Sequence, residues 1–121
     1  MEISIRAHEE KHVLDVSGEL DLYNAYRLRE AVQRLAAGDS QGVVLNLKGV
    51  RFIDSSGVAA LLSINALLTT SSRPLRICNV SRSVQRVFEL TRLSGFLPIV
   101  ASELDALESL RGGPAPNQAA S

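Results

Sequence analysis

The sequence predicts an α/β domain: a mixed sheet of four or five strands, opened by an antiparallel hairpin, with three to four helices packed mainly on one face. Three observations lead there. Apolar and polar side chains alternate on both sides of a polar break near the N-terminus. From Asn24 onward the apolar spacing changes repeatedly between the period of a helix and that of a strand. Several of the strand segments alternate instead of being apolar throughout, so helices cover one of their faces more fully than the other.

Ile3, Ile5 and Ala7 alternate with Glu2, Ser4, Arg6 and His8, and Val13 to Ser17 resumes β-type composition after the break, which defines a hairpin. Next, Ala25, Leu28, Val32 and Leu35 recur at helical spacing, with Arg27, Arg29, Glu30, Gln33 and Arg34 facing elsewhere, until Gly38 stops the run. Gly42 opens VVLNL, a strand with Val43, Leu45 and Leu47 on one face and Val44 and Asn46 on the other. Val58, Leu61, Leu62, Asn65 and Leu68 mark a second helix, which TTSSRP ends because Pro74 cannot continue it. Leu75 to Val80 reads as a strand. Val84, Val87, Phe88 and Thr91 mark a third helix closed near Gly95, Pro98 to Ala101 a short edge strand, and Glu103 to Leu110 a last helix. Residues 1–111 form the predicted domain, and GGPAPNQAAS, 112–121, reads as a flexible tail. Strands separated by helices need crossover connections, hence parallel pairing beside the antiparallel hairpin.

A chain of 121 residues fits one domain. Its 13 basic and 13 acidic side chains cancel, so no overall field draws it to nucleic acid or anionic lipid. With three Phe, two Tyr and no Trp it also lacks a stacking platform for single-stranded nucleic acid. Cys78 is alone in the apolar stretch LRICNV, reads as a small buried hydrophobe and fits a reducing compartment. The N-terminus has no apolar leader, and no run approaches the ~18 apolar residues that a membrane helix needs. A soluble, cytoplasmic protein that does not insert into membranes is expected.

HEEKH, His8 to His12, matches the H-E-x-x-H pattern of zinc peptidases, but that chemistry needs both histidines on one helical face. Here the segment lies between two β-type runs, where it forms a polar hairpin turn, and no further His is present as a third ligand. No metal is expected. There is also no phosphate-binding glycine loop, so no nucleotide cofactor is expected, and Ser55 is not in a G-x-S-x-G elbow, so a serine hydrolase ranks last.

What remains is RFIDSSGVAALL, Arg51 to Leu62, a strand end running into an apolar helix through Asp54, Ser55, Ser56 and Gly57. One reading makes Ser55 or Ser56 the N-cap of the helix, with Asp54 favoured by the helix dipole. The other makes an exposed serine here an acceptor for a phosphoryl group, which free N–H groups and the positive helix end would receive without unfolding the chain. Residue pattern alone leaves both open.

GELDLYNA, Gly18 to Ala25, followed by VVLNLKGVRFIDSSGVAALL and later by RSVQRVFELTRLSGF, resembles the STAS-domain anti-sigma-factor antagonists of bacteria from about Glu2 to Leu110. The resemblance implies a binding module without catalysis of its own. It implies that Ser55 is phosphorylated by an anti-sigma factor that is also a serine kinase. Asp54 then matches the acidic residue before the phosphosite, and Ser56, Gly57 and Val58 the adjoining contact positions; Asp21 matches the acidic residue of the G-E-L-D loop. The unmodified form is expected to bind the kinase and free a sigma factor, the phosphorylated form to let go, and a serine phosphatase to reset it. A STAS-like accessory subunit that regulates a membrane transporter without phosphorylation is the alternative.

Overall fold

In the computed structural model, residues 1–111 are described; the tail expected at 112–121 lies outside them. The hairpin consists of β1 (Glu2–His8) and β2 (Lys11–Leu20), paired antiparallel from Glu2 with Ser17 to His8 with Lys11. HEEKH is therefore the end of one strand, a tight turn with Glu9 in the left-handed region (φ 57°), and the start of the next. His12 is committed elsewhere: the Ser40 hydroxyl donates to the Gly42 carbonyl at 3.0 Å, so the 2.8 Å contact has His12 Nδ1 donating to Ser40.

After the hairpin come α1 (Ala25–Ala37), β3 (Val43–Ile53), α2 (Ser55–Thr70), β4 (Leu75–Cys78), α3 (Arg82–Leu90), a 3-10 turn at Ser94–Phe96, β5 (Ile99–Val100) and α4 (Glu103–Ser109). The five strands lie in sequential order, and β2 to β5 are mutually parallel. Right-handed crossovers that always step the same way put their helices on the same face. Accordingly α1, α2 and α3 share one core with Leu14, Val16, Val43, Leu45, Leu47 and Ile77. The chain then turns α4 onto the opposite face, over a smaller cluster of Val13, Val44, Cys78, Ala106 and Leu110. The expected division of Val43, Leu45 and Leu47 from Val44 is the division between these two cores. Cys78 is fully buried, and burial pushes its thiol up to about 12, so it is an inert packing residue.

Two strands run further than their apolar alternation does. β2 reaches Leu20 and β3 reaches Ile53 through register shifts at Asp15/Ser17 and Gly18/Glu19. At the first shift Gly49 lies so close to β2 that a Cβ there would fall 2.7 Å from Ser17 Cβ. The irregularity lets Val50 and Ile53, three apart, both face the core.

Polar side chains fasten α4 at both ends. Arg6 on β1 binds Asp15 (Nε to Oδ2, 2.6 Å) and Glu103 (Nη2 to Oε1, 2.5 Å), and Asn46 donates to the same Glu103 oxygen at 3.1 Å. At the far end the fully buried Arg76 donates to Ser109 Oγ at 2.8 Å and to the Leu75 carbonyl at 2.8 Å. The Arg6 hydrogen bond holds the Glu103 carboxyl below the usual carboxylate range, against a smaller opposing effect of burial. Because the folded-state value lies below the unfolded one, this contribution is complete above the ordinary carboxylate range and disappears as pH falls through the depressed value. Arg6 is half exposed, which limits the interaction to about 0.2–1 kcal/mol. Wild-type protein should lose more stability than Glu103→Gln between pH 6 and pH 3 by about that amount, measured by urea unfolding. Parallel losses would remove Glu103 from the account.

Candidate functional site

β2 and β3 finish level with each other, Leu20 opposite Ile53, so the next residue of each strand, Asp21 and Asp54, stands at the same edge of the sheet. Asp54 is extended (φ −108°, ψ −175°) and is the N-cap of α2. Its Oδ1 accepts from the Gly57 N–H at 2.9 Å, and its Oδ2 accepts from the Leu22 N–H at 3.1 Å. One carboxylate therefore closes the helix start and ties the β2–α1 loop to it. Asp21 organises that loop from within: its Oδ1 accepts from Tyr23 N at 3.0 Å, and its carbonyl accepts from Ala25 N at 2.9 Å. Asn24 completes the turn, accepting from Asp21 N at 2.9 Å and donating to the Glu19 carbonyl at 2.7 Å.

The cap is thus Asp54, and neither Ser55 nor Ser56 serves as one. A hydroxyl could satisfy Gly57, but only a carboxylate has a second oxygen to spare for Leu22. Ser55 becomes the first helical residue, exposed, with its hydroxyl making no hydrogen bond among the described residues. Ser56 is half-buried beside it. The N–H groups of these first two helical residues have no acceptor within the helix, and the first turn carries no acidic side chain. An anion attached to Ser55 would meet those donors and the positive end of a 16-residue helix.

Gly57 and Val58, expected among the adjoining contact positions, are both buried. Gly57 is buried, and a Cβ there would lie 2.4 Å from the Leu20 carbonyl and 2.6 Å from Ile53 Cγ1. Val58 is 2% exposed. These two seat the helix against the strand ends and present no side chain at the surface. The residues that share the exposed edge are Asp21, Asp54, Ser55 and Ser56. Sequence reasoning missed Leu22 and Tyr23, which the Asp21 and Asp54 bonds hold outward at 66% and 84% exposure. The available signal was two large apolar residues just before a helical pattern that starts only at Ala25.

A cleft of about 1040 Å³ opens at the other end of the sheet, between Glu9, His12, Arg34, Ser40 and Arg73, and plays no part in this edge. Among the described residues, no three His, Cys, Asp or Glu side chains gather in a way that could hold a metal, and no helix is long and apolar enough to cross a membrane.

A sequentially ordered mixed sheet whose third strand enters its helix through D-S-S-G is the arrangement of a STAS domain. Residues 2–106 match the STAS domain family, and the chain belongs to it. It is 30% identical over 114 residues to the anti-sigma F factor antagonist of Paenibacillus polymyxa, an alignment covering 91% of this chain and 95% of that one. The anti-sigma-B factor antagonist of Staphylococcus aureus is 25% identical over 99 residues, 82% and 92% of the two chains. The crystal structure of an anti-sigma factor antagonist from Mycobacterium paratuberculosis superposes with a TM-score of 0.82 at 25% identity, covering 92% of this chain and 94% of that one.

Separation of cap from hydroxyl makes a direct prediction for stability. Asp54→Ala should lower the unfolding free energy by about 1–2 kcal/mol, whereas Ser55→Ala should stay within about 0.5 kcal/mol of wild type, both by urea denaturation. The reverse ranking would make the serine the cap. Gly57→Ala should cost about 1–3 kcal/mol in the same measurement, since α2 must back away from Leu20 to admit a methyl group; a neutral result would mean that the contact is not tight.

Proposed function

We propose that this chain is an anti-sigma factor antagonist switched by reversible phosphorylation of Ser55. Unmodified, it binds an anti-sigma factor that is also a serine kinase and so frees a sigma factor; phosphorylated, it lets go, and a serine phosphatase restores it. The observation that carries this reading is the exposed Ser55 hydroxyl, unbonded among the described residues, on a helix start that Asp54 already caps. Relatives named as anti-sigma factor antagonists over nearly the whole chain support it.

The chain supplies only the nucleophile. Ser55 Oγ attacks the γ-phosphorus of ATP held by the kinase, the new O–P bond forms as the bond to ADP breaks, and the hydroxyl proton passes to a base of the kinase or to water. The product carries about −1.5 to −2 added charge. That charge opposes any like charge the partner sets against this edge. For one like charge at about 6 Å and an effective dielectric near 40, repulsion is roughly 2–3 kcal/mol. Affinity then drops by ~30- to 150-fold. The fold feels far less, because the helix end offsets the added charge by ~0.3–1 kcal/mol.

The test is to incubate the protein with ATP and each purified anti-sigma serine kinase of its source organism, and to locate the product by mass spectrometry. Phosphate should appear on Ser55 and be absent from Ser55→Ala. Ser55→Glu should weaken binding to the same kinase with its thermal midpoint nearly unchanged. Phosphate on Ser56 in Ser55→Ala, or equal affinity of Ser55→Glu, contradicts the proposal, as does recovery of the chain unphosphorylated in a membrane transporter complex.

A further inference from the structure

Two large apolar side chains side by side in one tight turn, at 66% and 84% exposure, are a poor use of a surface unless something covers them. Leu22 and Tyr23 are also held in place from both ends. The Leu22 N–H is bonded to Asp54, the residue adjoining Ser55, and the Tyr23 N–H to Asp21. Their position relative to Ser55 is therefore set by hydrogen bonds and not left to a loose loop. Tyr26, at the start of α1, is half exposed as well.

From this geometry we infer that Leu22 and Tyr23 are the apolar anchors by which the kinase partner holds the chain while Ser55 is in reach, an inference that rests on the function proposed above. The surroundings select the occupant. Two carboxylates, Asp21 and Asp54, flank the pair, and phosphorylation of Ser55 adds a third anionic group to the same edge. A second copy docked here about a two-fold axis would bring these like charges together. A different protein, with an apolar socket and with Lys or Arg set opposite Asp21 and Asp54 but not opposite Ser55, meets the apolar pair and the permanent carboxylates and still loses affinity when Ser55 is phosphorylated. Aromatic and large aliphatic groups at the centre of such a contact carry a disproportionate share of the affinity, and a tyrosine ring does so at little entropic expense.

The probe is whichever purified anti-sigma serine kinase phosphorylates the wild-type chain. Leu22→Ala/Tyr23→Ala should bind it at least ~30-fold more weakly, while the thermal midpoint stays at the wild-type value because neither side chain packs in the core. Phosphorylation of Ser55 should show the loss in KM, with the rate at saturating protein preserved within about threefold. Tyr23→Phe should bind like wild type, since the ring and not the hydroxyl is the anchor. Double-variant affinity within about threefold of wild type overturns the inference, and so does a Tyr23→Phe loss as large as that of Tyr23→Ala. A dimer of the free chain that the double variant splits would also overturn it, giving the patch to a second copy. If no kinase binds or phosphorylates the wild type, the functional proposal fails and takes the anchor with it, an outcome separate from a wild type that binds and a variant that binds equally.

Discussion

Everything at the functional edge depends on how one carboxylate divides its two oxygens. Asp54 uses one on the Gly57 N–H and the other on the Leu22 N–H, so a single side chain caps α2 and binds the preceding crossover loop to it. The consequence is a division of labour between neighbours. Capping, which the fold needs permanently, is carried by an aspartate, and Ser55 is released from structural work one residue later. A serine that both capped the helix and accepted a phosphoryl group would alter stability each time it was modified; in the proposed switch the two demands fall on different residues.

That arrangement is possible only because of where the strands stop. The sequential parallel topology brings the ends of β2 and β3 level, and Gly57 lets α2 start almost in contact with the Leu20 carbonyl. With the helix so close, Asp54 can span the gap to Leu22. Among the described residues, the same topology leaves the opposite face of the sheet to α4 alone, held by Arg6, Asn46 and Arg76. The site and the α4 fastening therefore belong to different parts of the molecule, and a change in one need not disturb the other.

Much of the fold was legible because period reports which face is covered. Leu28 and Val32, or Val43 and Leu45, repeat at intervals that admit one backbone conformation each, and they are core residues of α1 and β3. Legibility failed where local pattern and three-dimensional requirement part company. The register shifts each place one extra residue on β3 relative to β2, which removes alternation from the second half of β3 although the pairing resumes after each. The identity of the cap was beyond reach for a related reason: Asp54, Ser55 and Ser56 are all good caps in isolation, and only the presence of Leu22, 32 residues earlier, makes the carboxylate the better choice. Gly57 was noticed, but the close approach of the chain's own Leu20 and Ile53 to it has no local signature. The contact of Arg6 with Glu103, 97 residues apart, has no sequence signature at all.

The central claim, that the cap is independent of the switch, is tested most directly by amide hydrogen exchange of Leu22 and Gly57 before and after stoichiometric phosphorylation of Ser55. Both amides should stay as protected as before, because Asp54 keeps its two bonds, while the Ser55 and Ser56 amides slow as they find a new acceptor. If protection at Leu22 and Gly57 collapsed on phosphorylation, the phosphoryl group would have displaced the aspartate, and the separation of the two roles would be wrong.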